Sequence, residues 1–223
     1  SLRARNNEFA KLDVLEQGIK EAHERNKKFF LTVNTLPHNS KLKTFVSDME
    51  PLIAMKPDAL IMADPGLIMT VREKWPEMPI HLSVQANTTN YWGVKFWQNI
   101  GVERIILSRE LSMEEIAEIR QECPDIELEV FIHGALCIAY SGRCLLSGYF
   151  NHRDPNQGTC TNSCRWDYKV HNATESDAGD AQLLQGFNFE KAQEEANQNF
   201  EGINGQKRHP YADKVFLIEE SNR

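Results

Sequence analysis

Apolar positions along this chain alternate between two rhythms. From Phe9 to Lys27, the residues Phe9, Leu12, Leu15, Ile19 and Ala22 recur three to four apart, the spacing of a helix with one buried face. "FFLTVN" follows as a short apolar run that reads as a strand. The same switch repeats down the sequence. "LKTFVSDMEPLIAM" is helical around Pro51, "DALIMAD" is a strand, and "PGLIMTVREKW" opens a helix with Pro65 suited to its first turn. "IHLSVQ" is the next strand, "NYWGVKFWQNIG" a helix closed by Gly101, and "ERIILS" a strand. In "SMEEIAEIRQEC" the pair Ser112 and Glu115 fits a capping box at a helix start, and "IELEVFIHG" is a fifth strand.

Strands about 25 residues apart, each followed by a helix, imply parallel pairing through right-handed crossovers, so the fold class is α/β. A closed barrel needs eight such units and an open doubly wound sheet fewer, and five strands do not choose between them. Asn34, Asp64, Gln85, Asn87, Arg109 and His133 all fall at or just past the carboxyl ends of strands, where both architectures place ligand sites.

The pattern dissolves after about Lys169. Residues 170–212 are acidic, rich in Asn, Gln and Gly and weakly periodic, and are expected to form a flexible variable loop. "DKVFLIEE", within 213–223, reads as the start of a further strand. The chain opens on Ser1 inside an amphipathic segment and ends on that strand, so the natural protein is expected to extend at both ends.

Charge alters the picture only locally. The net charge of −7 speaks against a nucleic-acid binder, because phosphate contacts need Lys and Arg. Residues 171–206, however, hold seven acidic residues against one Lys, which leaves the remainder nearly neutral, and Arg143, Arg153, Arg165 and Lys169 make the cysteine region slightly basic. A hydrophobic fraction of 41% supplies a core. No run of about eighteen apolar residues exists and "SLRARNNEF" lacks a signal-peptide pattern, so a cytoplasmic protein with no membrane partner is expected. The oligomeric state is open.

Four of the five cysteines crowd into one stretch, "HGALCIAYSGRCLLSGYFNHRDPNQGTCTNSCRWDYKV". Six residues separate Cys137 from Cys144, fifteen separate Cys144 from Cys160, and three separate Cys160 from Cys164. Disulfides fit poorly with a chain lacking a secretion signal, and a chance cluster of buried thiols fits poorly with flanks as polar as "SGRC" and "TNSC". A metal site is the stronger reading. Four thiolates hold either tetrahedral zinc or an iron–sulfur cluster, and spacing does not separate the two. Cys123 ends a helix just before Pro124 and reads as structural. His133 precedes Cys137 by four residues, so a helix through both would bring imidazole and thiol to one face, but this leaves three cysteines unexplained. H-E-x-x-H, G-x-S-x-G and glycine-rich phosphate-loop motifs are all missing from the sequence.

"EVFIHGALCIAYSGRCLLS", from Glu129 to Ser147, resembles the signature of the collagenase-like peptidase U-32 family, through Glu129, Phe131, Gly134, Ala135, Leu136, Cys137, Gly142, Cys144 and Ser147. "NNEF", "PHNSKLKTF", "PDALIMADPGLIM", "PIHLSVQAN", "LSRELS" and "RDPNQGTCTNSCRW" resemble its branch implicated in tRNA hydroxylation. The resemblance covers residues 1–169 and resumes near "DKVFLIEE".

It implies a partial TIM-barrel-like (βα)n catalytic domain over 1–169, with a Cys-rich cluster-binding segment at 133–169 and a 4Fe-4S cluster on Cys137, Cys144, Cys160 and Cys164, zinc being the alternative. It also implies tRNA as partner and prephenate-dependent hydroxylation of the wobble uridine to 5-hydroxyuridine. For that chemistry Glu129, His133 and Arg109 are the candidate catalytic residues. Asn34, Asp64, Gln85, Asn87 and Arg143 are the candidates for orienting the uridine and a small carboxylated cosubstrate, with either arginine able to clamp a carboxylate. A U-32-type peptidase and a non-catalytic zinc- or cluster-stabilised RNA-binding module are the alternatives.

Overall fold

The computed structural model describes residues 9, 11–133, 137–157, 159–175, 177, 181–183 and 215–220. Gly134, Ala135 and Leu136 of the cysteine motif, Gly158, "NNE" of the flank "NNEF" and the greater part of 170–212 lie outside the described residues. The chain forms two compact units, residues 1–164 and 165–223.

The first unit alternates helix and strand in the expected order: α1 (Leu12–Glu24), β1 (Phe30–Val33), α2 (Asn39–Ala54), β2 (Ala59–Met62), α3 (Pro65–Lys74), β3 (Ile80–Leu82), α4 (Tyr91–Asn99), β4 (Arg104–Ile106), α5 (Met113–Glu122) and β5 (Glu127–Glu129). Local chemistry sets the helix boundaries. Asp64 accepts a hydrogen bond from the Leu67 amide (2.9 Å) ahead of Pro65, and Asn90 accepts one from the Gly93 amide (2.9 Å). The Ser112–Glu115 capping box is formed in full, with the Ser112 amide donating to Glu115 at 2.7 Å and the Glu115 amide to Ser112 Oγ at 3.3 Å. Gly101, at φ +85°, ends the turn after α4 in the left-handed region.

The five strands pair in parallel in the order β1-β2-β3-β4-β5. That sequential order answers the question the strand count leaves open. A doubly wound sheet reverses direction at a switch point, whereas each strand here adds to the same edge, the winding of a (βα) barrel. Right-handed crossovers in a constant direction put the helices on one face. On that face Val33, Leu60, Met62, Ile80, Leu82 and Ile105 pack with helix residues such as Ile19, Met49, Ile68 and Ile119 into one core cluster. The alternate strand positions carry Phe30, His81, Arg104 and Glu127. The Phe30 and His81 rings meet edge-on at 4.7 Å, Arg104 lies 5.2 Å from the Phe30 ring centre, and its guanidinium pairs with Glu127 at 2.6 Å.

Beyond β5 regular structure thins to a short helix α6 (Leu146–Asn151) and two single 3-10 turns, Pro155–Gln157 and Ser163–Arg165. The second unit corrects two expectations. Residues 170–175 and 181–183 are strand rather than flexible loop: β6 (Tyr168–Glu175) pairs antiparallel with β7 (Ala181–Leu183) and with β8 (Val215–Glu220). The segment "DKVFLIEE" therefore holds a strand as read, but one in a separate antiparallel sheet, and the boundary expected at 169 falls inside β6. Local periodicity misses this because β6 takes its order from backbone pairing with a partner more than forty positions away. Among the described residues no helix is long and apolar enough to cross a membrane.

Candidate functional site

A pocket of about 240 Å³ opens at the carboxyl ends of the parallel strands. Thr32 and Asn34 from the end of β1, Val84 and Gln85 after β3, Arg109 after β4 and Phe131 after β5 form one side. Cys137, Ile138, Tyr140, Ser141, Gly142, Cys144, Pro155, Asn156, Cys160 and Cys164 form the other. All four clustered cysteines thus line a single pocket, and none is in a disulfide. Cys123, by contrast, is buried at the end of α5, where its thiol donates to the Tyr91 carbonyl (3.7 Å) and burial pushes its pKa up. It is structural, as its position before Pro124 indicates.

The cysteine segment is fastened to the sheet by specific contacts. Gly142 has φ +72°, and a β-carbon there would stand 2.5 Å from the Gln85 carbonyl oxygen, so only glycine permits this approach. Its neighbour Ser141, buried, receives a hydrogen bond from Arg109 Nη2. The Leu36 amide donates to the Asn156 carbonyl (3.1 Å), Gln157 Nε2 donates to the Leu36 carbonyl, and Lys41 Nζ donates to the Gln157 carbonyl (2.9 Å). Inside the segment, Asn156 Nδ2 donates to the Cys144 carbonyl at 3.2 Å. A web of hydroxyls ties the stretch around Cys160 and Cys164 to α6: Ser147 with Thr161 (2.5 Å), Thr161 with Ser163 (2.7 Å), and Asn151 Nδ2 to Ser163 (2.8 Å).

Of the residues singled out from sequence, the pocket gathers Asn34, Gln85, Arg109 and the four cysteines. The others fall elsewhere. Asp64 is engaged as the cap of α3. Asn87, in the left-handed region at φ +57°, accepts a hydrogen bond from Ser108 Oγ (2.9 Å). Arg143 and His133 are exposed and outside the pocket wall, and a helix joining His133 to Cys137 would run through residues 134–136, which lie outside the described residues. Glu129 sits on β5 beside Arg104 (3.4 Å), away from the pocket. Sequence reasoning missed Ser141, Asn156, Phe131 and Tyr140 as wall residues, although the polar flanks and the aromatic of the signature already marked their neighbourhood.

Among the described residues, no three His, Cys, Asp or Glu side chains stand close enough together to grip a metal ion as placed. The donor set nevertheless fits thiophilic chemistry. Among the described residues the wall offers four thiols with no carboxylate or imidazole to compete, beside one guanidinium and a tightly apposed glycine loop.

The family model for peptidase family U32 matches residues 1–205. The chain belongs to peptidase family U32. A tRNA hydroxylation protein P from Escherichia coli K12 is 59% identical over 226 residues, covering all of this chain and 47% of that protein. A 23S rRNA 5-hydroxycytidine synthase of Escherichia coli is 34% identical over 167 residues, covering 75% of this chain and 25% of that protein. The chain spans about half the length of the first of these relatives. A solved U32 peptidase shares the fold, with a TM-score of 0.50 at 16% identity over 57% of this chain and 55% of that one.

Proposed function

We propose that this U32 chain carries the reaction pocket of a tRNA-hydroxylating enzyme, with Cys137, Cys144, Cys160 and Cys164 as ligands of a 4Fe-4S cluster and the wobble uridine, converted to 5-hydroxyuridine, as target. One observation carries the reading: four separate cysteines converge on one pocket at the carboxyl ends of the strands, in a chain 59% identical along its whole length to a tRNA hydroxylation protein. The cluster would supply electron transfer or a Lewis-acidic iron beside the bound substrate. This chain's own residues do the rest. Asn34 and Gln85 orient the base, and Arg109, its guanidinium anchored on Ser141 Oγ and 5.7 Å from the Phe131 ring centre, supplies fixed positive charge toward a carboxylated cosubstrate such as prephenate. Zinc in place of the cluster would make the site structural.

The test has two stages. Full-length protein purified without oxygen is expected to hold about four iron and about four sulfide per chain. Zinc near one equivalent without sulfide sinks the cluster. Mass spectrometry of tRNA from cells lacking the gene is then expected to show loss of 5-hydroxyuridine derivatives; an unchanged profile leaves a non-catalytic RNA-binding module.

The peptidase reading draws on the family's name. Among the described residues the pocket wall holds no His, Asp or Glu, and its buried Ser141 is bonded to Arg109, which cannot act as a base at neutral pH. Cleavage of denatured collagen by metal-free protein would reinstate that reading.

A further inference from the structure

Among the described residues of the pocket wall, two buried polar atoms lack a hydrogen-bond partner: the acceptor Gln85 Oε1 and the donor Arg109 Nε. The other such atoms among the described residues, on Thr35, Arg72 and Thr88, belong to residues outside this wall. A buried polar atom without a partner is costly, and a pair of opposite character in one pocket indicates what would satisfy it.

Both groups are held in place. The Gln85 backbone is fixed by its amide on Ser83 Oγ (3.3 Å) and by Gly142 against its carbonyl. The Arg109 guanidinium is held by Ser141 and lies against Phe131, while its Nε–H, buried, has no partner. A ligand that satisfies both must donate to one and accept from the other. Carboxylates and phosphates only accept, so on their own they leave Gln85 Oε1 unmet; a carboxylated cosubstrate draws on the charge of Arg109 and not on this pair of atoms.

Resting on the reading of the site as RNA-modifying, we propose that Gln85 and Arg109 read the imide edge of a uracil drawn into this pocket. Uracil N3–H donates to Gln85 Oε1 and an adjacent carbonyl oxygen accepts from Arg109 Nε. Cytosine presents a lone pair at N3 and meets Gln85 Oε1 with repulsion. The walls suit a flat base. Phe131 and Tyr140 line the same pocket and keep about half of their surface exposed, so their rings are open to a flat partner. Bases taken out of their stack for chemistry are held between such faces and read along this edge.

The experiment measures binding of full-length protein to anticodon stem-loop RNAs that differ at one nucleotide: uridine, 3-methyluridine, which lacks the N3 donor, or cytidine. Wild type is expected to bind the uridine RNA about tenfold or more tightly than either other. Gln85→Leu is expected to erase that preference, weakening the uridine RNA through loss of the acceptor and relieving the repulsion of the cytidine RNA. Gln85→Glu, which retains the acceptor, is expected to keep the preference. Equal wild-type binding of uridine and 3-methyluridine overturns the inference alone and holds even where Gln85→Leu does not fold, and so does undiminished preference in a folded Gln85→Leu protein. Absence of binding to all three RNAs overturns the RNA-modifying reading along with it.

Discussion

Residues 11–129 and residues 137–157 with 159–164 are held together by different forces. In the first stretch Leu60, Met62, Ile80 and Leu82 are wholly buried, and the strands and helices share one apolar cluster. In the second, Ile138, Leu145 and Tyr149 are each more than three-quarters exposed, and order rests on individual hydroxyl, amide and guanidinium contacts. Burial is non-directional and tolerates exchange among side chains of similar volume, whereas each hydrogen bond needs its own two atoms. A scaffold of the first kind can carry a site of the second kind without constraining its chemistry.

The sharpest way to separate the two regions is Cys144→Ser. On the proposed reading it abolishes bound iron and sulfide, whereas Cys123→Ser, in the other region, leaves both near the wild-type amount; equal loss in the two variants would dissolve the distinction. Leu60→Ala probes the opposite side. It removes a fully buried side chain and is expected to cost about 2–5 kcal/mol in denaturant unfolding while leaving iron per folded chain unchanged.

Acid should weaken the scaffold through His81. Burial first, and then Arg104, lower its pKa from 6.5 to about 4. Between those values the unfolded chain binds the proton that the folded one refuses, so this group's contribution is present above pH 6.5 and is lost as pH falls to about 4, on the order of 3 kcal/mol in all. Comparing wild type with His81→Gln across that window should give a flatter slope for the variant. The smallest effect belongs to Ser112→Ala, which removes the cap of α5 and is expected to cost about 1 kcal/mol without touching metal content.

The scaffold was legible because its signals are local. Capping residues, Pro65, Gly101 and the change of apolar rhythm each act within a few positions, and all stand where expected. Strand order was not legible, since sequential and reversed windings share the same rhythm. At the site the cysteines were legible as a cluster and their common pocket confirms only that they converge. Asp64 and Asn87 share the strand-end position of Gln85 but spend their side chains on local backbone and hydroxyl partners, and position alone cannot tell these uses apart. The antiparallel unit was missed for a related reason, since β8 joins β6 across a long stretch of sequence although β7 pairs with β6 close by.

The contact of Gly142 with the Gln85 carbonyl also acts as a length gauge. With Ser141 and Gly142 pinned to the sheet, the arm to Cys144 is a single intervening residue, while the arm from Cys144 to Cys160 runs through fifteen. A residue added or removed between Gly142 and Cys144 therefore changes the reach of that thiol directly, whereas one added after α6, before the next tether at Asn156 and Gln157, leaves the spacing from the pin to Cys144 as it is.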